Sequence, residues 1–305
     1  MKYLSTREAS EKWGISDRRI RLLCNEGRIQ GAIKIGRNWS IPSDALKPVD
    51  SREVNIKDYK GLEFDFSQID SLKEEIDLHR PFSKNLANSL REKLIVEWTY
   101  NSNAIEGNTL TLSETKVVLE GITVGGKTII EHLEAINHRK AIFFIEGLIA
   151  NREALTEWNI KSIHSLILKE IDNANAGKYR SENVVISGAE HIPPKHYEIG
   201  DLMQKLIAEY QNEWGNFHPV VKATLLHGEF VKIHPFIDGT GRASRLLLNF
   251  ELMKYGYPPI IIKNAERSRY YDALDLAHTT MDYEPFLKFV SELVVESEKL
   301  WLSLL

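Results

Sequence analysis

The 305-residue sequence contains a single cysteine, Cys24, and this scarcity excludes two kinds of structural support. One cysteine can form neither an internal disulfide bond nor a thiolate cage around zinc. The chain also lacks any apolar run near the roughly 18 residues that a membrane-spanning helix needs. Its first ten residues, MKYLSTREAS, have no apolar core of the kind found in signal peptides. We therefore expect a cytoplasmic protein in a reducing compartment, with no membrane contact.

An even distribution of charge is also missing. The net charge is −4, yet residues 1–48 carry ten Lys or Arg against five Asp or Glu, which gives +5. The remaining residues carry 29 against 38, which gives −9. This asymmetry predicts two modules with different partners. We expect a small domain at residues 1–48, a linker at 49–62 and a larger domain at 63–305.

Most of the sequence beyond the linker has the apolar periodicity of helices, which predicts a mainly α fold. The predicted helices span approximately residues 67–79, 83–101, 113–120, 131–150, 156–170, 198–214, 218–232, 241–255 and 283–304. One interior segment departs from this pattern, GKYRSENVVISGAEHIPP at residues 177–194. It contains a β-favouring run and ends in two prolines, so we expect a β-hairpin that projects from the helical body. The residues of the run are Val184, Val185 and Ile186.

Residues 1–48 show the pattern of two short helices followed by a hairpin. Ser5 or Thr6 can cap a helix that ends near Trp13, and a second helix should run from residue 16 or 17 to residue 25. The alternating stretch AIKIGRNWSIP predicts a small hairpin. The second helix exposes arginines that suit phosphate and base contacts, namely Arg18, Arg19 and Arg21.

The pattern of residues 1–48 resembles the helix-turn-helix with a short wing of the MerR and excisionase families. The resemblance implies a DNA-binding domain. The alternative is a small basic module that contacts another protein, because arginine on a helix is commonly solvated surface.

Residues 121–128, GITVGGKT, match the pattern G-x-x-x-x-G-K-[ST] of phosphate-binding P-loops. A P-loop must leave a buried parallel strand and open a helix. The preceding residues instead predict a helix, capped by the pair Thr111 and Glu114 and closed by Gly121. No series of alternating strands and helices surrounds the match. We therefore assign it to a connecting loop.

Charged and flexible residues are concentrated in HPFIDGTGRASRLLLN, residues 234–249. The leucines predict a buried helix from residue 241 to about 255, which places the glycines at its first turn. Such a turn offers free backbone N–H groups and the positive end of the helix dipole, and both favour phosphate. The candidate phosphate-binding residues are Gly239, Thr240, Gly241, Arg242, Arg245 and Asn249.

Two residues beside this turn suit chemistry on a bound phosphate. Asp238 is placed to hold a hard cation, Mg2+ or Mn2+, that bridges phosphate oxygens. His234 can accept a proton from an attacking hydroxyl group, because the pKa of histidine lies near neutrality. The stretch therefore predicts attack of a hydroxyl group on a polyphosphate.

The segment HPFIDGTGRASR resembles the signature HPFxDGNGRxxR of the Fic family, enzymes that move AMP from ATP onto a protein hydroxyl. Two further segments match in the correct order: SNAIEGN, residues 102–108, resembles the inhibitory motif [S/T]-x-x-x-E-[G/N], and residues 177–194 resemble the flap. The likeness extends from about residue 90 to 300. It implies a Fic-type helical bundle with a β-hairpin flap, preceded here by a small winged helix-turn-helix domain.

The resemblance implies a role for each matching residue. His234 would be the general base, Asp238 the metal ligand, and the glycines and arginines of residues 234–245 would bind the phosphates of ATP. Val184–Ile186 would pair with an extended stretch of the target and bring its hydroxyl to the base. Lys178 and Arg180 would flank the nucleotide. The inhibitory residues would be Ser102, Glu106 and Gly107, with an ion pair between Glu106 and Arg245.

Two departures from the family pattern bear on this assignment. The asparagine of the signature is Thr240 here, which keeps a hydroxyl group and loses the amide. In close relatives a Tyr-Tyr pair followed seven residues later by Asn helps to receive adenine. This chain has Tyr270 and Tyr271, but His278 stands at the Asn position. Tyr271 and His278 are therefore our candidates for contacts with the base.

We expect a protein adenylyltransferase that modifies a Ser, Thr or Tyr hydroxyl of a target, including its own chain. Removal of AMP from a modified protein by a water that Glu106 orients is a related hypothesis. The alternative is a DNA-binding transcriptional regulator whose degenerate Fic core only senses nucleotide. A homodimer stays an open alternative to a monomer.

If residues 1–48 bind DNA, the affinity of the chain for duplex DNA should fall steeply between about 50 and 200 mM salt. Fluorescence anisotropy with a labelled duplex measures this slope. Replacing Arg18, Arg19 and Arg21 by alanine should reduce the slope by up to about 3, since each phosphate contact contributes about 1. A flat salt response would indicate a protein partner instead.

Overall fold

The structure, a computed structural model, describes most of the chain, namely residues 3–13, 17, 20, 21, 24, 29, 31–36, 38–43, 45 and 64–305. The chain divides into two compact units, Met1–Ile56 and Lys57–Leu305. Two sequence predictions lie outside the described residues: the linker at 49–62, and the DNA contacts of Arg18 and Arg19.

The first helix of the first unit, α1, spans Thr6–Trp13, as the sequence predicts. Its start is fixed by a reciprocal pair: the Ser5 Oγ accepts from the Glu8 backbone N–H at 3.3 Å, and the Glu8 carboxylate accepts from the Ser5 backbone N–H at 2.7 Å. Among the described residues of the predicted second helix, Arg21 pairs with Asp17 at 2.9 Å.

Three short strands of the first unit form one antiparallel sheet in the order β1-β3-β2. They are β1 Tyr3–Ser5, β2 Ile33–Ile35 and β3 Asn38–Pro42. Gly36 lies between β2 and β3 with a φ of 61°, a left-handed conformation that glycine adopts without strain. The predicted hairpin is thus confirmed. The core beside it consists of Ala9, Trp13, Ile20, Cys24, Ile29 and Ile41.

The second unit is helical. Its helices are α2 Ser67–Leu78, α3 Lys84–Ile105, α4 Leu112–Leu119, α5 Ile129–Ala150, α6 Glu157–Ile167, α7 Ile199–Asn212, α8 Pro219–Ile233, α9 Thr240–Lys254, α10 Arg267–Thr280 and α11 Glu284–Leu302. Three single 3-10 turns, at His196–Glu198, Trp214–Asn216 and Asn264–Glu266, connect some of them.

Helices α8 and α9 form the centre of this unit. Eleven of the fifteen residues of α8 and twelve of the fifteen of α9 are buried, so each helix is covered on every side. The loop 234–239 joins them, and its side chains are therefore held between two rigid, buried elements. The predicted motif thus lies between the two central helices of the helical unit.

The stretch GITVGGKT, residues 121–128, is a connection between α4 and α5, as we expect from the sequence. The Thr111 side chain caps α4 together with Glu114, and Thr128 caps α5 together with Glu131. The threonine of the P-loop pattern is therefore a helix cap.

One helix is missing from the sequence prediction, α10 at Arg267–Thr280. Its buried residues follow the spacing i, i+3, i+4, i+7 and i+8. They are Tyr270, Ala273, Leu274, Ala277 and His278; all except Leu274 are small or partly polar, so the apolar pattern is weak in the sequence. The helix is important because it carries both candidate contacts with the base.

The β-hairpin predicted at residues 177–194 is not confirmed. In the described part of the chain, all strand pairing belongs to the first unit, and Val184–Ile186 form no strand. The run has the β-branched composition of a strand, but bends and turns follow at residues 187–190 and no second strand lies beside it. We refer to residues 177–194 as the flap segment.

Within the described residues, we find no helix with the length and apolar character required to span a bilayer.

Gly228 of α8 lies against the ring of Tyr283, the residue directly before α11. This close contact offers a test of the packing between the two helices. A Cβ atom at Gly228 would collide with the buried Tyr283 ring. The change Gly228→Ala should therefore lower the free energy of unfolding by about 1–3 kcal/mol, as overpacking does. Urea denaturation followed by circular dichroism measures this loss.

The matched control is Gly147→Ala in the last turn of α5, where a Cβ atom meets no atom within 4 Å. This change should stabilise the helical unit by about 0.5–1 kcal/mol, since alanine favours helix. Equal effects of the two changes would contradict the packing described for Gly228.

Candidate active site

Helix α8 ends at His234, which has the left-handed angles φ 48° and ψ 62°. The following residue, Pro235, explains the end of the helix, because a residue before proline is driven out of the helical conformation. Left-handed geometry in a residue other than glycine costs energy, on the order of 1–3 kcal/mol, and is maintained only where the surroundings enforce it. The His234 backbone is thus held in an unusual conformation.

The His234 imidazole is well shielded and lines a cavity of about 500 Å³. Burial lowers its pKa to about 4, and the charge of Arg180 acts in the same direction. The Val231 backbone acts in the opposite direction, and burial outweighs it. At pH 7 the ring is therefore neutral, and a neutral imidazole is the form that can accept a proton.

Arg180 is only 4 % exposed, so it is not a solvated surface residue, and its expected place beside the nucleotide stays a prediction. Its Nε donates to the backbone oxygen of His234 at 2.8 Å, and its other two nitrogens donate to the backbone oxygens of Glu182 and Pro194. Arg180 therefore fastens the flap segment to the turn that carries His234. Lys178 donates to the backbone oxygen of Ala174.

Helix α9 begins directly after Gly239, whose φ is 76°. A Cβ atom on Gly239 would press on His164, and one on Gly241 would collide with the Glu106 Oε1 atom. The two glycines therefore allow close approach to the first turn of the helix, as the anion-site prediction requires. The oxygen that makes this approach in the structure belongs to the Glu106 carboxylate.

The hydroxyl group of Thr240 lies 3.3 Å from both the backbone nitrogen and the backbone oxygen of Phe236. The side chain is 2 % exposed. Its polar atom thus closes the loop 236–240, and contact with a phosphate stays a prediction for this residue.

His164 of α6, which the sequence analysis missed, supports the same loop. Its Nε2 donates to the Asp238 backbone oxygen at 2.8 Å, and its Nδ1 accepts from the Gly177 backbone N–H at 3.0 Å. The ring stacks on Phe236 with 3.6 Å between centroids. Burial lowers the pKa of His164 to about 4, so it is a neutral brace with a fixed tautomer. A histidine on the apolar face of a predicted helix was its only sequence signal.

Arg245 is 3 % exposed and is bound by residues near the end of α3. Its Nη2 donates to the Glu106 carboxylate at 2.6 Å and to the Ser102 backbone oxygen at 2.8 Å, and its Nε donates to the Ser102 Oγ at 3.0 Å. Burial opposes the charge, but Glu106 outweighs it, so the pKa of Arg245 is raised. The predicted ion pair is confirmed. Gly107 follows with a φ of 100°, which ends the helix.

Arg242 is bound by a second set of acceptors. Its Nη1 donates to Glu134 of α5 at 2.7 Å, and its Nη2 donates to Asp238 at 2.9 Å. Asn108, the last residue of the inhibitory motif, donates to the other Glu134 oxygen at 2.8 Å. The motif at residues 102–108 therefore contacts Arg245 directly and is linked to Arg242 through Glu134. The sequence analysis missed Glu134, which is 108 residues from its partner.

Asp238 is the residue predicted to hold a metal ion. Its side chain is 60 % exposed, and one of its oxygens accepts from the Gly239 backbone N–H at 2.6 Å. In the part of the chain that the structure describes, no group of three or more His, Cys, Asp or Glu side chains could hold a metal by itself. A single carboxylate oxygen beside an anion site nevertheless fits Mg2+, which binds through one or two carboxylates together with substrate phosphates.

The cavity beside His234 lies between α9 and α10. Gly241 and Arg245 line one of its walls, and Tyr271 and His278 of α10 line another. Asn249 does not line it: the amide of Asn249 exchanges two 2.8 Å hydrogen bonds with the backbone of Ile260. Its predicted support of the nucleotide stays untested, while its structural role is evident.

The flap segment covers part of the cavity and exposes an apolar side chain beyond it. Ile186 lines the cavity, whereas Val185 is 85 % exposed. The Asp275 carboxylate accepts from the backbone N–H groups of Glu190 and His191 at 3.0–3.1 Å. The segment is thus fastened to α10 without any strand pairing.

The helical unit is similar to known proteins. Residues 154–252 match the Fic/DOC family. Over 205 residues the chain is 40 % identical to the protein adenylyltransferase Fic of Drosophila mojavensis and 38 % identical to that of Drosophila willistoni. These alignments cover 67 % of this chain and 40 % and 41 % of those proteins. The chain therefore spans about two fifths of the length of these relatives.

Two solved structures show the same similarity in three dimensions. A Fic-domain-containing signaling protein from Bacteroides thetaiotaomicron has a TM-score of 0.72 and 32 % identity, covering 78 % of this chain and 97 % of that one. Residues 134–508 of Fic-1 from C. elegans have a TM-score of 0.71 and 28 % identity, covering 78 % of this chain and 71 % of that one.

The lowered pKa of His234 predicts how its ring titrates. In the folded protein it should stay neutral from pH 8 down to about pH 5, with a midpoint near 4, whereas in the urea-unfolded chain the midpoint should be near 6.5. A folded pKa below the unfolded value means that His234 reduces stability as pH falls from 6.5 toward 4. NMR titration of the imidazole, assigned with His234→Ala, measures this directly. A folded midpoint near 6.5 would contradict the burial described here.

Proposed function

The chain belongs to the Fic/DOC family, and from this membership we propose that it transfers AMP from ATP to a hydroxyl group of a protein. The observation that carries the proposal is the position of the Glu106 carboxylate. It lies against Gly241 at the first turn of α9 and pairs with Arg245. A buried site that already holds one oxyanion at a helix N-terminus is suited to hold the oxyanions of a phosphate.

The reaction uses the groups around this site as follows. The neutral His234 imidazole takes the proton from a Ser, Thr or Tyr hydroxyl of the target protein. The hydroxyl oxygen forms a bond to the α-phosphorus of ATP, and the bond from that phosphorus to the bridging oxygen of the pyrophosphate breaks. The first turn of α9 and Arg245 stabilise the charge of the departing pyrophosphate. The products are an AMP-modified protein, pyrophosphate and a proton.

Asp238 is the residue that would hold Mg2+ or Mn2+, and the ion would supply charge neutralisation on the phosphate oxygens. The rest of the chain contributes orientation. Arg180 and His164 hold the turn 234–239 in place, and the Val184–Ile186 run, in which Val185 is 85 % exposed, is where a target would bind. Target proteins, including other copies of this chain, would dock there.

Glu106 makes the enzyme self-inhibited. While its carboxylate occupies Arg245 and the space above Gly241, the terminal phosphate of ATP has no place there. Bound ATP would then be held in a pose unsuited to attack. Ser102 strengthens the inhibited state, because it contributes two further hydrogen bonds to the same guanidinium group.

Two further activities are compatible with the chain. Because Glu106 and His234 line the same cavity, Glu106 can orient a water that removes AMP from a modified protein. Release of AMP from a modified target that persists in Glu106→Gly would contradict this activity. The basic residues 1–48, with their helix and hairpin, support a winged helix-turn-helix that binds DNA and positions or regulates the enzyme.

The test of the main proposal is incorporation of label from α-labelled ATP with Mg2+. The Glu106→Gly variant should label itself or an added protein at least about tenfold faster than the unsubstituted chain, because a phosphate replaces the carboxylate on Arg245. Adding His234→Ala to this variant should abolish labelling while nucleotide still binds.

The chain offers a matched control in Glu120→Gly. Glu120 also caps the end of a helix and also precedes a glycine, Gly121, but its side chain is exposed and away from the cavity. It should leave labelling unchanged. No label in the folded Glu106→Gly variant, or equal stimulation by both changes, would contradict the proposal.

A further inference from the structure

Arg242 is a buried cation with two carboxylate partners in the described part of the chain. Its side chain is 2 % exposed, and its Nη1 and Nη2 donate to Glu134 and Asp238, respectively. A buried guanidinium group needs an anion, because the loss of its hydration is costly. Either carboxylate can meet this need, but the two differ in what else they can bind.

Both oxygens of Glu134 are already bound. Its side chain is 17 % exposed, and the oxygen that does not contact Arg242 accepts from the Asn108 side chain at 2.8 Å. One helical turn further along α5 lies His138, which is fully buried. Burial lowers the pKa of His138 to about 3, and the charges of Arg245 and Arg242 act in the same direction, so the ring is neutral at pH 7. Of these two α5 residues, only Glu134 brings a charge to Arg242.

Asp238 is the more accessible of the two partners. Its side chain is 60 % exposed and belongs to the turn before α9. Arg242, Glu134 and Asp238 together carry one positive and two negative charges. If Glu134 balances Arg242, one negative charge is left over at Asp238, on the exposed side of the cluster. A divalent cation would therefore meet a carboxylate whose charge is not compensated.

We propose that Glu134 is a positioning residue for metal binding: it supplies the counter-charge of Arg242 and thereby leaves the Asp238 carboxylate available to Mg2+ or Mn2+. Without Glu134, Asp238 would be the only carboxylate partner of Arg242 in the described chain, and the ion would have to break that pair. The inference rests on the proposed function, which assigns the ion to Asp238 together with the phosphates of ATP.

The test measures the manganese gain, which is the affinity for a nucleotide with Mn2+ divided by the affinity with excess EDTA. Isothermal titration calorimetry is applied to the full chain carrying Glu106→Gly, with α,β-methylene-ATP as the nucleotide. This analogue has carbon in place of the oxygen that would leave, so binding is measured without turnover. Glu134→Gln keeps an oxygen for Arg242 but loses the charge, and it should reduce the manganese gain by about tenfold, as loss of a residue that orients a metal ligand does. Glu134→Asp keeps the charge and should retain most of the gain.

A second background separates action through Asp238 from a general effect of charge. Glu134→Gln makes the region less negative, which by itself would slightly favour the metal-free nucleotide and lower the manganese gain. In a chain that already carries Asp238→Asn, only this general effect remains, so Glu134→Gln should change the gain by less than about twofold. The matched control is Glu146→Gln, which removes the partner of Arg91 on the same helix and should leave the gain unchanged.

An unchanged manganese gain in Glu134→Gln, equal losses in Glu134→Gln and Glu134→Asp, or an equal reduction with and without Asp238→Asn would overturn the inference. Each of these results leaves AMP transfer and the proposed metal site intact, because the reference chain still shows the gain. If the reference chain itself shows no manganese gain, the proposed metal site at Asp238 is wrong together with the inference.

Discussion

The ion pair between Glu106 and Arg245 is the interaction on which the organisation of the site depends. Arg245 is almost fully buried, and a buried guanidinium group without an anion would cost several kcal/mol. The site is therefore built to hold an anion at all times. In the structure that anion is a carboxylate of the same chain, placed where the first turn of α9 would receive a phosphate. Under the proposed function, inhibition by Glu106 and binding of a phosphate would be alternative occupations of this one place.

The remainder of the helical unit keeps this place rigid. Glu134 holds Arg242 from α5, His164 holds the turn 234–239 from α6, and Arg180 ties the same turn to the flap segment. His164 and Arg180 are buried and Glu134 is half-buried. The three lie on different elements, so the turn cannot shift without breaking several hydrogen bonds. The left-handed conformation of His234 is maintained by this arrangement. Catalytic groups need such support because small displacements are costly in rate.

The sequence allowed the site to be predicted where its parts are close in the chain. The glycine-rich turn, His234 and the helix after it lie within sixteen residues, and their local chemistry is readable without a fold. The Glu106 contact was predicted only through the family resemblance, since 139 residues separate it from Arg245. Glu134 and His164 lie in helices whose periodicity indicates burial but not partners.

Two further errors have local causes. Helix α10 was missed because its buried positions hold small or partly polar residues such as Ala273, Ala277 and His278, which give little apolar contrast. The hairpin was predicted from the β-branched run at Val184–Ile186, but a strand needs a partner, and here Arg180 and Asp275 bind the backbone of the segment instead. The composition of the run therefore predicted a strand pairing that the structure does not contain in this segment.

The most direct measurement of the central claim compares the affinities of ATP and ADP for the unsubstituted chain and for Glu106→Gly. ADP lacks the terminal phosphate. We therefore expect only ATP to compete with the Glu106 carboxylate for Arg245. We predict that Glu106→Gly increases the affinity for ATP by a factor at least about tenfold larger than the affinity for ADP, because the terminal phosphate gains a charge-assisted contact with Arg245. An equal change for both nucleotides would contradict the claim that carboxylate and phosphate share one place.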